Sequence, residues 1–130
     1  MARLAAGLAL LLPGAAAALE EPIPLPSGLV ADFQELRIET REGQGALARF
    51  RFVAQNLGET APDLDVLSAD MDFLCDQVAL PSIPVEYPDP GQIVISIGAA
   101  PTEFGVSRPD ILQVFESYRI EEDRCMWEAF

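Results

Sequence analysis

The residues of this sequence that could do chemistry are its carboxylates. The 130-residue chain holds 21 aspartate and glutamate residues, no histidine and no lysine. Because Ser-His and Cys-His nucleophiles need an imidazole and Schiff bases need a lysine amine, enzymes of those classes are excluded. What remains is acid–base catalysis by paired carboxylates, as in glycoside hydrolysis, or binding of a hard cation by carboxylate oxygens. Among so many acids, neighbouring pairs occur by chance, so a pair alone indicates no activity.

Three aspartates, Asp65, Asp72 and Asp76, fall along one side of a helix predicted over residues 63–79. Carboxylate oxygens are the ligands of Ca²⁺, and residues four apart on a helix lie close enough to share an ion. A regular helix is convex, however, and the sequence lacks the glycine-bearing loop of an EF-hand. These aspartates therefore predict a solvated acidic face, with a Ca²⁺-binding module as the alternative.

Catalysis by carboxylates would require an acid in an apolar cleft, where burial raises its pKa. The acids best placed for this are Glu116 and Glu128, which flank the aromatic C-terminal stretch. An exposed strand face is the alternative location for both side chains, and their residue type favours it. The sequence thus predicts no catalytic residue.

The arginines Arg37, Arg49 and Arg51 lie on the polar side of two predicted strands. Guanidinium groups gathered on one face can bind an anion. Pairing with Glu35 and Glu39 across the sheet competes with that function, and we expect the pairing.

Acidic residues give the whole chain a net charge of -13. Such a field repels the phosphates of nucleic acids and the headgroups of anionic membranes, so neither is an expected partner. It attracts basic proteins and cations, and it also keeps a protein soluble. The expected partner is a basic protein or a component of the cell envelope. No motif indicates a cofactor.

Residues 1–18, MARLAAGLALLLPGAAAA, have the order of a secretory signal peptide: an early charge, an apolar run and small residues. We predict cleavage between Ala18 and Leu19. A membrane anchor is the alternative, but the run is short for a span of ~20 residues and a Pro-Gly pair interrupts it. The prediction places the mature chain in the periplasm or outside the cell, with no stable membrane anchor after the signal is removed.

The sulfur chemistry rests on two cysteines, Cys75 and Cys125. An even count in an exported chain predicts one intramolecular disulfide. Two buried thiols or an intermolecular bridge are the alternatives. The disulfide would close a long loop, which stabilises a domain by about 4 kcal/mol in the chain-entropy model.

Residues 19–32 form a proline-rich leader, which we expect to be extended and outside the core. The strands and the helix that position the acids, arginines and cysteines follow this leader. Residues 33–54 then alternate apolar and charged side chains. This period of two predicts a hairpin of half-buried strands, with Phe50 and Phe52 facing the core.

The hairpin register can be predicted from its turn. Pairing Ile38 with Phe50 leaves residues 43–45 as a three-residue loop. The final glycine of that loop supplies the left-handed conformation that such hairpins need. The same register sets Glu39 opposite Arg49 on the exposed face.

Later segments supply one principal helix and further strands. The helix predicted over residues 63–79 has a stripe of apolar residues at helical spacing, namely Leu64, Leu67, Met71, Leu74, Cys75 and Val78. The β-branched run of residues 92–98, QIVISIG, predicts a central strand. Residues 109–115, PDILQVF, predict a short helix.

The C-terminal stretch YRIEEDRCMWEAF predicts a hairpin with a tight turn at residues 122–123, which sets Tyr118 opposite Trp127. Both aromatic side chains are expected in the core, and Cys125 on the same strand faces the helix. These elements predict one α+β domain over residues 33–130. Its fold is a mostly antiparallel sheet of four or five strands with one principal helix packed on one face.

The motifs ADMDFLC, ALP, QIVISI and FESYRIEEDRCMWEAF resemble those of an uncharacterised family of small exported bacterial proteins, which is known as a domain of unknown function. The resemblance covers most of residues 45–130 and is most specific at the C-terminal hairpin. The glycine expected in that hairpin turn is absent, and Asp123-Arg124 occupies the region. The family implies no activity, substrate or catalytic residue.

Two classes of function remain. The leading one is a non-enzymatic exported domain that binds a protein or another envelope component. The alternative is a small carboxylate-dependent enzyme or a Ca²⁺-binding module. A concave pocket holding two or more buried acids would favour the enzyme, whereas a compact, pocket-free domain with an exposed apolar patch would favour the binding domain.

Overall fold

A computed structural model describes residues 19–43, 45–60, 62–86 and 89–129 of the chain. Its strands are β1 (Ile23–Pro24), β2 (Val30–Arg41), β3 (Gly45–Val53), β4 (Gln92–Gly98), β5 (Gln113–Glu121) and β6 (Arg124–Glu128). Its helices are α1 (Leu57–Thr60) and α2 (Leu64–Phe73), and α2 continues through a π-helical segment (Leu74–Ala79) into a 3₁₀ turn (Leu80–Ser82). None of the described helices is long and apolar enough to cross a membrane.

The six strands form one sheet in the order β1-β2-β3-β4-β5-β6. Strands β3 and β4 run parallel, and every other neighbouring pair is antiparallel. The prediction of an α+β fold with one main helix is confirmed. The prediction of a mostly antiparallel sheet of four or five strands is wrong in two details, because the sheet has six strands and β3 runs parallel to β4. Helices α1 and α2 lie in the connection between β3 and β4, and such a crossover lets two neighbouring strands run parallel. The sheet is therefore mixed.

The proline-rich leader belongs to the domain, contrary to the expectation that residues 19–32 lie outside the core. Ile23 pairs with Ala31 across β1 and β2. Ile23, Leu25 and Leu29 are buried in the main hydrophobic cluster. Their alternation with proline lets an extended segment present one apolar face. The predicted signal peptide and its cleavage after Ala18 lie outside the described residues, so export stays a prediction.

The first long hairpin forms, but its predicted register is wrong by two residues. Phe50 lies opposite Leu36 rather than Ile38, and Glu39 lies opposite Leu47 rather than Arg49. A shift of two preserves the face of every side chain, so the alternating pattern could not detect it. Gly45, the last residue of the predicted loop, has the predicted left-handed conformation with φ +74°, but it lies in β3 opposite Arg41.

The core lies between the sheet and the helical segment, which is the continuous stretch of α2, the π-helical residues and the 3₁₀ turn (residues 64–82). Phe50, Phe52 and the three isoleucines of β4 are at most 1 % exposed. On the helical side, the predicted apolar stripe is buried at Leu67, Met71, Leu74, Cys75 and Val78, whereas Leu64 at the start of α2 is 74 % exposed. The helix predicted over residues 109–115 is absent, since β5 begins at Gln113. Strand β4 lies between β3 and β5, which confirms its central position.

The C-terminal hairpin has the predicted register, with Tyr118 opposite Trp127. Its turn residues Glu122 and Asp123 both have positive φ, at 51° and 61°, which defines a type I′ turn built without glycine. Tyr118 is 1 % exposed, but Trp127 is 56 % exposed, so the expectation that Trp127 lies in the core is wrong. The helical segment meets the edge strand β6 at Cys125, and Trp127 lies two residues beyond that contact.

Candidate binding site

Acids of the helical segment accept hydrogen bonds from the sheet and from the leader, and they do not gather into one metal site. Asp72 accepts a hydrogen bond from the Tyr118 hydroxyl at 2.7 Å, and Asp76 accepts one from the Cys125 N–H at 2.9 Å. The third predicted ligand, Asp65, is exposed in the first turn of α2. Within residues 19–43, 45–60, 62–86 and 89–129, no group of three or more side chains could hold a metal ion.

Tyr118 carries the strongest electrostatic effect in this region. Burial raises the pKa of its phenol well above the usual value of 10.0, and the hydrogen bond to the Asp72 carboxylate adds to the effect. The unfolded chain therefore loses a proton from Tyr118 above pH ~10, where the folded protein still retains it. The contribution of Tyr118 to stability is complete below that pH and decreases above it.

We expect the free energy of unfolding to fall by up to about 1.4 kcal/mol per pH unit above pH ~10 because of this group. The Tyr118→Phe variant should lack this component of the slope, because phenylalanine cannot ionise. Urea unfolding of both proteins between pH 8 and 11 measures it. Parallel pH profiles for the wild type and the variant would contradict the assignment.

Glu116 and Glu128, the acids considered for catalysis, lie on opposite faces of the sheet. Glu116 lies opposite the buried Ile95 and accepts hydrogen bonds from Ser68, at 3.2 Å, and from the Trp127 indole N–H. Glu128 lies opposite Ser117, which follows Glu116 on β5, so Ser117 and Glu128 lie on the face opposite to that of Glu116. Glu128 accepts a hydrogen bond from Gln92 at 3.1 Å. Two carboxylates separated by the sheet cannot act on one bond.

The predicted arginines form the expected pairs on the sheet face away from α2. Arg51 contacts Glu35, and Arg49 contacts Glu39 at 2.8 Å. Hydrogen bonds from Arg51 and Arg49 hold the pKa values of Glu35 and Glu39, respectively, below the usual 4.5. These guanidinium charges are therefore already compensated by carboxylates of the same chain.

An aromatic side chain that the sequence did not single out covers these arginines. The Phe104 ring lies 4.1 Å from the guanidinium carbon of Arg37, 5.3 Å from that of Arg49 and 5.5 Å from that of Arg51. Arg51 is 7 % exposed and also donates to the Thr102 carbonyl and hydroxyl oxygens. The loop between β4 and β5 is thus clamped onto the sheet by cation–π contacts and hydrogen bonds.

Beside this clamp lies a cavity of about 190 Å³, lined among others by Arg49, Arg51, Thr102, Phe104, Val106 and Phe115. An adjacent cavity of about 310 Å³, lined by Arg37, Glu35 and Phe104, reaches the range of ~300–1,000 Å³ typical of small-molecule sites, whereas this one does not. Both of its guanidinium groups are engaged by glutamates. The geometry therefore does not favour anion binding by these arginines. Together with Phe104 and Thr102, the arginines hold the loop between β4 and β5 against the sheet.

The free edge of β6 combines exposed apolar side chains with a strand side that no described strand pairs with. We call it the hairpin edge and define it as residues 124–128. Met126 is 36 % exposed and Trp127 is 56 % exposed on opposite faces of the strand. No described strand pairs with its outer side, since β6 ends the sheet order. Large apolar side chains and an unpaired strand edge together are features of a protein-binding surface.

Acidic groups surround the hairpin edge. The hairpin from Gln113 to Glu128 contains five acids and two arginines, and the turn places Glu121, Glu122 and Asp123 in sequence. Asp76 approaches the same edge through its bond to the Cys125 N–H. The disulfide Cys75–Cys125, with a Cα–Cα distance of 6.1 Å, joins β6 to the helical segment, consistent with the predicted bond. The edge is held in place and negatively charged.

Comparison with known proteins identifies a family but no activity. A family model described as "Family of unknown function (DUF6497)" matches residues 8–130, in agreement with the resemblance noted from the motifs. No curated protein and no solved structure matches the chain.

Proposed function

The chain belongs to the family of unknown function DUF6497, and we propose that it is an exported, non-enzymatic domain that binds a basic protein of the cell envelope at the hairpin edge. The observation that carries the proposal is the exposure of Met126 and Trp127 on the unpaired edge of an acidic hairpin. Tryptophan and methionine are enriched at protein interfaces, and tryptophan is among the residues that contribute most binding energy.

The charge of the chain supports a basic partner. A net charge of -13 repels acidic proteins and increases the rate of encounter with basic ones. Such attraction between exposed charges weakens as salt is added, because the Debye length falls from about 10 Å at 0.1 M to about 3 Å at 1 M. The burial of Trp127 by a partner would depend much less on salt.

The arrangement of the acids supports binding over catalysis. Asp70 is the fully buried acid among the described residues, and it accepts two hydrogen bonds from Ser27. Glu116 and Glu128 face opposite sides of the sheet. A carboxylate-dependent enzyme needs acids that converge on one cleft, and Glu116 and Glu128 do not. Asp72 and Asp76, which act on Tyr118 together with Glu116, accept hydrogen bonds from the Tyr118 hydroxyl and the Cys125 N–H.

The proposal is tested by affinity capture from periplasmic extract with the oxidised chain from residue 19 onward. We expect the wild type to retain a basic protein that is released between about 0.1 and 1 M salt. The Trp127→Ala variant should retain at least about tenfold less, because truncation of a hot-spot residue costs about 2 kcal/mol or more and tryptophan is enriched among such residues.

The matched control is Leu64→Ala, which removes a 74 % exposed apolar side chain from the start of α2. It should capture the partner as well as the wild type does. Equal capture by Trp127→Ala and the wild type would contradict the proposal, as would a retained partner that is acidic.

A further inference from the structure

We infer that the hairpin edge binds its partner by strand addition, in which an extended basic segment of the partner protein pairs with the outer side of β6. This inference rests on the proposed function and names the form of the ligand. It requires backbone groups of β6 that point outward, a reason for this edge to be used, and a segment whose side chains match both faces.

The direction of the backbone groups follows from the hydrogen bond at Cys125. A two-residue type I′ turn makes Glu121 and Arg124 a hydrogen-bonded pair, and such pairs alternate with non-hydrogen-bonded ones along an antiparallel ladder. Cys125 is therefore in a non-hydrogen-bonded pair, and its N–H indeed points away from β5, to Asp76 at 2.9 Å. Two residues on, Trp127 has the same orientation, so its N–H and C=O face the outer side.

Asp76 limits where an added strand can bind. Its carboxylate accepts the hydrogen bond of the Cys125 N–H, so this donor of the edge is not available to an added strand. Trp127 then supplies the donor and acceptor of one complete backbone pair. This leaves a short docking position next to the exposed indole, instead of a long open edge that would recruit any strand.

The opposite side of the sheet is less suited to strand addition. There β1 already covers the first residues of β2 through the Ile23–Ala31 pair. The rest of β2 has an irregularity in register between Phe33 and Glu35. Bulges of this kind twist an edge and protect it from pairing.

The side chains of β6 indicate which segment fits. On one face the segment would meet the Trp127 indole, and on the other it would meet Glu128 and Met126. Because successive side chains of a strand point to opposite faces, a segment that alternates arginine with apolar residues sets arginine over the indole, in cation–π contact, and apolar side chains against methionine. A second copy of this chain would bring another charge of -13 to the same edge, so self-pairing is disfavoured.

The experiment uses a labelled peptide of about eight residues that alternates arginine with valine, a length that spans one strand. Its binding to the oxidised chain is measured by fluorescence anisotropy. Two further versions carry N-methyl groups on the odd or on the even residues. In a strand, successive N–H groups point to opposite sides, so only one set can contact β6.

We expect one methylated peptide to bind up to about tenfold more weakly and the other to bind like the parent, because the backbone hydrogen bond to Trp127 is lost in only one of them. On the protein side, Trp127→Pro should bind more weakly than Trp127→Ala. Proline removes the outward N–H, which the ladder to β5 does not use.

Two results would overturn strand addition while leaving the proposed function intact. One is equal binding of both methylated peptides, which would show attraction by charge alone. The other is equal binding of the arginine peptide and a version with glutamate in place of arginine. Equal capture by the wild type and Trp127→Ala in the extract experiment, or capture of an acidic partner, would instead remove the proposed function itself, so the two failures are distinguishable.

Discussion

Replacement of Cys125 by serine is expected to lower the free energy of unfolding by about 4 kcal/mol. The Cys75–Cys125 bond closes a sequence separation of 50 residues, and in the chain-entropy model a loop of this size strongly restricts the unfolded chain. Small domains have a total stability of only ~5–15 kcal/mol, so the loss would be a large fraction. Urea unfolding of the oxidised wild type and the variant measures the change.

The two cysteines differ in how well serine can replace them. Cys75 is fully buried, whereas Cys125 is half-buried on the edge strand. Cys75→Ser should therefore be at least as destabilising as Cys125→Ser, because it also buries a hydroxyl group. Reduction of the wild type should reproduce the Cys125→Ser value. A change below about 1 kcal/mol, or free thiols in the unreduced unfolded protein, would contradict the disulfide account.

Replacement of Asp70 by alanine is expected to cost about 3 kcal/mol. The Asp70 carboxylate is fully buried and accepts hydrogen bonds from the Ser27 N–H at 3.0 Å and the Ser27 hydroxyl at 2.5 Å. Truncation leaves both donors without their acceptor, and hydrogen bonds to charged groups contribute more than neutral ones. The leader should also become more accessible, because Ser27 ties it to α2.

The control for Asp70 is Asp65→Ala, which removes an exposed aspartate from the same helix. That change should cost less than about 1 kcal/mol, the size of a helix-dipole contribution. Urea unfolding gives the two free energies, and limited proteolysis reports release of residues 19–29. Equal effects of the two substitutions would contradict the role given to Asp70.

Much of the fold follows from local patterns that the sequence displays directly. The period of two in β2 and β3, the apolar stripe of α2 and the isoleucines of β4 each record which face is buried. The C-terminal hairpin could be aligned because its turn has only two residues. In each case neighbouring residues alone determine the element.

What could not be predicted depends on contacts between distant residues. The β2–β3 register is ambiguous by two because Ile38 and Leu36 are both apolar and face the same side. The leader resembles a polyproline segment, and its place in the core depends on Asp70, 43 residues away from Ser27. A sixth strand and a parallel pair follow from that packing and from the crossover, neither of which leaves a local signal.

The candidate site was only partly visible in the sequence for the same reason. The register of the C-terminal hairpin predicted that Trp127 is buried together with Tyr118, but its exposure depends on where the helical segment stops along β6. Phe104 stands alone in a loop of proline, glycine and acids, and only the fold brings it over three arginines. Arg49 and Glu39 pair although the predicted register that set them directly opposite is wrong, because both side chains still lie on the same face of the hairpin.

The central claim, that this domain binds a basic partner at the hairpin edge, is tested most directly by the fluorescence of Trp127. This residue is the single tryptophan of the chain and is 56 % exposed, so its emission reports on the hairpin edge. The captured basic partner is added to the protein, and any emission of its own tryptophans is subtracted. The account predicts a blue shift of the Trp127 emission, because the indole leaves water on binding. A partner that binds with full affinity and leaves the emission unchanged would place the contact elsewhere and contradict the account.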